Sequence, residues 1–356
     1  MQLHQLVNTI GQDLQRRYGE KVHKLTLHGG FSCPNRDGTI GRGGCTFCNV
    51  ASFANESERN KSIHEQLQDR AAEIQRAKKY LAYFQAYTST YAEVQVLKAM
   101  YEEAFFHILN SMYNKYKLNS VAIAGGCGFN SVANGKIFKN TPYKKLYVQA
   151  AAGDAGGAIG AAFTTWHKIG GRKAKQRSQI HDHAYWGPHF SDKYCENLLA
   201  REKTKIQKEN CVVTHIHNIS DIIKKTASEI ADGKVIGWFQ GRMEWGPRAL
   251  GNRSIIGDPR REDMKDILNI KIKRRESFRP FAPSILHEKV SEWFEQIEDV
   301  PFMMQVYQIQ KEKRSKIPAV THVDGSGRLQ SVYEHTNPRY YALIKEFDRL
   351  TGVPMV

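Results

Sequence analysis

Residues 241–254 read GRMEWGPRALGNRS and run on into KIK at 271–273 and ESFRPFAPS at 276–284. Arg242, Arg248 and Arg253 are interspersed with Gly241, Gly246 and Gly251. Glycine lets a backbone come close to a ligand, and planar guanidinium forks reach that ligand's oxygens. The composition points to a polyanion site. A solvated connector or a nucleic-acid-binding tail can be equally rich in arginine and glycine. Here, however, Trp238, Phe239, Met243, Trp245 and Leu250 are interleaved, and the run 234–240 reads as a strand leading in.

The length and composition set outer limits. A chain of 356 residues has room for two ordinary domains. At 41% hydrophobic and 25% charged it is globular in composition. No apolar run approaches the roughly 20 residues of a membrane helix, and MQLHQLVNTI has none of the regions of a signal peptide, so a cytoplasmic location without membrane contact is expected. A formal charge of +16 calls for anionic partners, either phosphorylated small molecules or nucleic acid. The basic run 171–177 has no aromatic residues to stack on bases and reads as a solvated linker, which favours small molecules.

At its C-terminal end the chain resembles the O-carbamoyltransferases that decorate antibiotics and nodulation factors, through GWFQGRMEWGPRALGNRSI, DPR, KRRESFRPFAPS and PAVTHVDGSGRLQSV. The resemblance implies that carbamoyl phosphate and ATP condense to carbamoyl-adenylate, and that an actin-like domain passes the carbamoyl group to a hydroxyl acceptor. Both reactants are anions, so fixed cations must screen their approach. By this resemblance Arg242, Arg248, Arg253, Lys273 and Arg279 hold phosphate and carbamoyl oxygens, and Ser284, Thr321 and Arg328 complete the pocket. Glu244 is expected to orient an arginine rather than act as a general base. His322, in THVDG, is open between a pocket role and that of a packed or capping histidine. The family continues past TGVPMV with a strand-forming tail, so an exposed apolar edge is expected here.

The beginning of the chain reads differently. A strand at 22–27 leads into HGGFSCPNRDGTIGRGGCTFCN, a glycine-rich loop with the spacing C-x11-C-x2-C. Structural zinc usually takes four protein ligands, and no fourth follows at a suitable distance. Three cysteines leave one iron of a [4Fe–4S] cube open, and glycine N–H groups can bond the sulfurs. This stretch, with YLAYFQAYTSTYAEV downstream, resembles radical S-adenosylmethionine proteins with a long first cysteine gap. That resemblance implies Cys33, Cys45 and Cys48 as cluster ligands and S-adenosylmethionine as cosubstrate. It ends after about two βα units, where a full barrel needs on the order of six. The other cysteines, Cys127, Cys195 and Cys211, are scattered and form no disulfide framework.

From Glu102 the text changes to EEAFFHILNSMYNKYKLNSVAIAGGCGFNSVANGKI and KLYVQAAAGDAGGAIGAAF. It resembles the second half of the carbamoyltransferases' actin-like nucleotide-binding domain. An apolar face of Val94, Leu97, Tyr101, Ala104, Phe105, Ile108 and Met112 continues through the join. Two glycine turns, each after a strand, suit the lining of a split ATP site. Gly125, Gly126 and Asn130 belong to the first turn, and Gly153 and Gly156 to the second. Asp154 reads as a helix N-cap and, by resemblance, as a ligand of a divalent metal. The histidine pair that completes the family's metal site has no counterpart in this chain.

The expected fold class is therefore α/β. A partial βα-barrel-like fragment (1–103) precedes a partial actin-like ATPase domain (104–170), a linker and domain entry (171–216) and a twisted α/β C-terminal domain (217–356). The expected function is ATP-dependent carbamoyl transfer, impaired by missing segments because both resemblances are incomplete, as in an inactive chimera. Two alternatives remain at this level: a cluster enzyme using the cysteine loop, and a basic nucleotide- or RNA-binding protein without turnover.

Overall fold

A computed structural model describes residues 10–28, 38, 42, 61–74, 79–84, 94–169 and 182–356. The chain divides into two compact units, Met1–Phe105 and Phe106–Val356. Cys33, Cys45 and Cys48 and the basic run 171–177 lie outside the described residues.

The first unit contains helix α1 (Ile10–Tyr18), strand β1 (Val22–Leu27), helix α2 (Ile63–Glu73) and strand β2 (Lys79–Phe84). The two strands pair in parallel from Val22↔Lys79 to Leu27↔Phe84, with α2 lying between them in the chain, as in a βαβ unit. A capping box of Ser62 and Glu65 starts α2. One turn on, the fully buried Gln66 side chain bonds both backbone groups of His28, at 2.7 and 2.9 Å, and so fixes the residue that follows β1.

Helix α3 (Val94–Tyr116) runs across the division, as its continuous apolar periodicity predicts. In the second unit, strands β3 (Ser120–Ile123) and β4 (Lys145–Val148) pair in parallel, and helix α4 (Gly156–Ile169) follows. The glycine turns that leave these two strands are joined, because Gly125 N–H donates to Ala152 O at 2.7 Å. Helices α5 (Asp192–Arg201) and α6 (Ile219–Ala231) lead to strand β5 (Ile236–Phe239), which pairs antiparallel with β6 (Arg253–Ile256). Residues 240–252 are thus the loop of a hairpin.

Three further pieces enclose the core. Strand β7 (Ser284–Leu286) pairs in parallel with β10 (Gln330–Val332), and β8 (Val306–Gln308) pairs antiparallel with β9 (Ser326–Arg328). Helix α7 (Pro338–Thr351) packs on α6, and Ile230, Ile285, Phe294, Leu343, Ile344 and Phe347 are buried between them and the strands. The exposed apolar edge expected at the C-terminus is absent, because the last residues fill it. Val356 exchanges two backbone hydrogen bonds with Ser284, and Leu286 N–H donates to Pro354 O. Among the described residues the architecture is α/β, as the sequence predicts.

Candidate functional site

The hairpin loop is organised by one buried carboxylate. Glu244 Oε1 accepts the N–H groups of Leu250, Asn252 and Arg253, at 2.7, 2.8 and 3.2 Å. The side chain expected to orient an arginine instead gathers the loop's backbone. Two glycines make that loop possible. Gly246 (φ +121) lies against the turn after β4, where an added Cβ would come 2.5 Å from Ala150 O, and Gly251 (φ +104) lies against the Tyr340 ring, 2.3 Å from where a Cβ would stand. The loop therefore packs on two separate parts of the fold. Leu250 shares a core with Val148, Ala150 and Phe302.

Beside this loop is a cavity of about 240 Å³, into which Arg248, Lys265, Lys273, Arg275 and Arg328 converge from four stretches of chain. Ser284 and Asp258 also line it. Asp258 does not neutralise the cluster, because Arg260 engages both of its carboxylate oxygens, at 2.6 to 3.0 Å. A π-helical turn, Ile267–Ile272, and a left-handed residue, Arg274 (φ 49), shape the chain that presents Lys273 and Arg275. Arg275 is further held by Asn269 Oδ1 at 2.7 Å and lies over the Phe281 ring.

The electrostatics of the cavity are strained. Burial, with the charges of Arg248 and Arg275 adding to it, lowers Arg328 to about 10. Burial also lowers Arg248, and burial together with the Arg275 charge lowers Lys273. None of Arg248, Lys273, Arg275 and Arg328 forms a salt bridge with a carboxylate among the described residues. Arg248 Nε and Arg328 Nε are buried without a hydrogen-bond partner. Like charges held together in this way carry a cost that an anionic ligand removes.

The expected site residues separate into two groups. Arg248, Lys273, Ser284 and Arg328 come together at the cavity. Arg242, Arg253, Arg279 and Thr321 are engaged elsewhere. Arg242 donates to Gly187 O, and Arg253 lies 3.5 Å over the Phe239 ring while donating to Gln240 O, Gly241 O and Asn252 O. Arg279 pairs with Glu276 at 2.8 Å, and Thr321 Oγ1 donates to Ile317 O. Arg275 and Lys265 were not foreseen. The KIKRR run was visible as charge, but nothing local singled out Arg275.

In the glycine turns, Gly153 and Gly156 are required by close contacts, with an added Cβ meeting the Phe129 ring at 2.6 Å and Ala151 O at 2.2 Å respectively. Gly125 has φ +105, Gly126 opens the short helical turn Gly126–Phe129, and Asn130 Oδ1 caps the next one by accepting from Ala133 N–H. Asp154 is exposed. Among the described residues no group of three or more His, Cys, Asp or Glu side chains could hold a metal ion. No helix among them is long and apolar enough to cross a membrane.

Comparison with known proteins bears on the same residues. The family model Carbamoyltransferase C-terminus matches residues 227–356, and Carbamoyltransferase N-terminus matches residues 45–163. The chain is 40% identical over 281 residues to Uncharacterized protein sll1178 of Synechocystis, covering 73% of this chain and 44% of that protein. It is 40% identical over 264 residues to Nodulation protein NolNO of Sinorhizobium fredii, covering 73% of this chain and 37% of that protein. A further similarity, 74% over 104 residues, is to Protein YhcC of Escherichia coli, at 29% of this chain and 34% of that protein. The chain spans less than half the length of each of these relatives. The matches support a carbamoyltransferase-like function, and none of their descriptions speaks for radical S-adenosylmethionine chemistry or an iron–sulfur cluster.

Proposed function

We propose, from the matches of residues 45–163 and 227–356 to carbamoyltransferase family models, that the cationic cavity binds carbamoyl phosphate and the phosphates of ATP and serves the formation of carbamoyl-adenylate. The observation that carries this is the convergence of Arg248, Lys273, Arg275 and Arg328 on one cavity with no carboxylate among the described residues to pair with them. At about 240 Å³ the cavity is smaller than the roughly 300–1,000 Å³ that encloses a drug-sized ligand, so it suits the small phosphorylated anion and the phosphate end of a nucleotide. A concave cluster also favours a small molecule over nucleic acid, which binds along stripes of cations and aromatic residues.

Carbamoyl phosphate and one water give carbamate and inorganic phosphate, and a carbamate oxygen attacks the α-phosphorus of ATP with pyrophosphate leaving. An acceptor hydroxyl then attacks the carbamoyl carbon, AMP leaves, and the hydroxyl proton goes to solvent. Arginine and lysine suit the first stage because negative charge accumulates on the transferring oxygens and fixed cations stabilise it without reorganising. The glycine turns after β3 and β4 support nucleotide binding in the later stage. Asp154 alone offers a divalent ion too few ligands.

The test is carbamoyl phosphate-dependent exchange of labelled pyrophosphate into ATP, together with calorimetric titration of carbamoyl phosphate. Exchange and binding that both disappear in Arg328→Met are expected. A wild-type protein that melts cooperatively yet binds no carbamoyl phosphate at millimolar concentration overturns the proposal. For residues 1–103, the C-x11-C-x2-C spacing supports cluster binding by Cys33, Cys45 and Cys48, with S-adenosylmethionine as the cosubstrate of a [4Fe–4S] site.

A further inference from the structure

Strand β6 turns alternate residues to opposite faces of the hairpin. Arg253 pairs with Phe239 across the two strands and lies over its ring, whereas Ser254 pairs with the buried Trp238. Ser254 therefore shares the inward face with the buried Ile256, and both line the cationic cavity. The arginine of the sequence NRS is turned away from the cavity, and the serine beside it is part of the wall.

Two serines line the cavity, Ser254 and Ser284, and their hydroxyl protons have different fates. Gln330 Nε2 donates to Leu250 O at 3.0 Å. A carbonyl oxygen can only accept, so the orientation of this amide is fixed and Gln330 Oε1 is the atom that faces Ser284. The Ser284 hydroxyl is thus committed to Gln330 Oε1, 2.9 Å away and buried. Ser254 is arranged the other way. Its Oγ accepts the N–H of Gly251 at 2.9 Å, which leaves its own proton to give, and among the described residues no acceptor takes it. The one acidic side chain in the lining, Asp258, has both oxygens engaged by Arg260.

Such a donor suits this cavity. Arg248, Lys273 and Arg328 are held there against their preference for solvent, and a further cation would add to the strain. A hydroxyl supplies one more hydrogen bond to an anion and no more charge. Its oxygen is also fixed by the strand and by Gly251 N–H, whereas a lysine reaches a ligand on a flexible stem. We infer that Ser254 is a further ligand-binding residue of the cavity, its hydroxyl donating to an anionic oxygen of the bound phosphoryl group. This rests on the reading of the cavity as a phosphate site and adds a neutral donor to its cations. Ser284, expected from the resemblance to complete the pocket, instead holds Gln330 against the hairpin loop.

The experiment titrates inorganic phosphate and carbamoyl phosphate calorimetrically into the full chain as wild type, Ser254→Ala, Ser254→Thr and Ser284→Ala, with a melting curve of each. Ser254→Ala should lose about tenfold or more in affinity for both ligands, and Ser254→Thr, which keeps the hydroxyl, should recover most of it. The loss in Ser284→Ala should be the smaller. Because Ser254→Ala also leaves Gly251 N–H unmet, it is repeated in an Arg248→Met background. A hydroxyl that touches the ligand keeps its effect there, and one that acts only by supporting the loop that carries Arg248 has none left. Ser254→Ala that binds as wild type does overturns the inference, as does an effect that vanishes beside Arg248→Met or a larger loss in Ser284→Ala. Each of these outcomes leaves the cationic site and its carbamoyl phosphate reading standing. A cooperatively melting wild type that binds neither ligand overturns this inference together with the proposed function.

Discussion

Arg248 and Arg328 line one cavity, and each keeps a buried Nε–H that no acceptor takes. Arg328 is lowered to about 10 by its burial and by Arg248 and Arg275 beside it, so the folded protein holds these charges at a cost. Binding sites are places where stability is given up in this way, and the cost can be measured.

Arg328→Met should raise the melting temperature of the unliganded protein, because a partly buried charge lacking a counter-ion is replaced by an apolar chain. A gain of about 1 kcal/mol is expected. The same variant should lose the stabilisation that wild type gains from added phosphate. Thermal melts with and without phosphate check both halves, and a variant that melts lower and still responds to phosphate contradicts the assignment.

Arg248→Lys keeps the charge and loses the fork. If Arg248 meets phosphate in a bidentate contact, carbamoyl phosphate affinity should fall by about tenfold or more while the melting temperature barely moves. A lowered melting temperature with unchanged affinity would make Arg248 a brace of the loop.

Glu244→Gln removes the charge from the oxygen that three loop N–H groups share. Hydrogen bonds to a charged acceptor contribute roughly 1.5–3 kcal/mol each, so a loss of about 2 kcal/mol or more in urea unfolding is expected. Anion affinity should fall with it, since the loop carries Arg248. Unchanged stability would mean that the amide serves the loop equally well.

His322 also gives a pH signature. Burial lowers its pKa from the ordinary 6.5, Arg328 and Lys265 push the same way, and Asp324 opposes them. The unfolded chain therefore binds this proton at a higher pH than the folded one. The contribution is fully present above 6.5, declines as pH falls from 6.5 towards the lowered value, and levels off below it. Melting curves of wild type and His322→Gln between about pH 7.5 and 5 should diverge on the acid side of that window, with wild type losing more. Parallel curves would show that the ring titrates alike in both states.

At the other end of the chain, protein purified anaerobically should carry iron and sulfide that the triple variant Cys33→Ala, Cys45→Ala, Cys48→Ala does not. Binding should be weak, because three thiolates on a short α/β segment leave a cluster open to solvent. Equal, near-zero iron in both would refute cluster binding.

By itself the sequence determined the α/β class, the strand at 22–27 and the helical face that continues through 94–112. Those signals are local: strand and helix periodicities, and arginine interspersed with glycine at 241–254. Only the tertiary structure decided which cations face the cavity. A guanidinium is satisfied equally by backbone carbonyls and by a ligand's oxygens. Arg253, in the middle of the motif, takes the first course through Gln240 O and Gly241 O, and Arg328, far along the chain on β9, is left for the second. Arg275 joins it, held by Asn269 Oδ1 and next to the left-handed Arg274. Neither outcome can be read from the residue's own neighbours, because burial and unmet hydrogen bonds arise only when distant strands close round the same space.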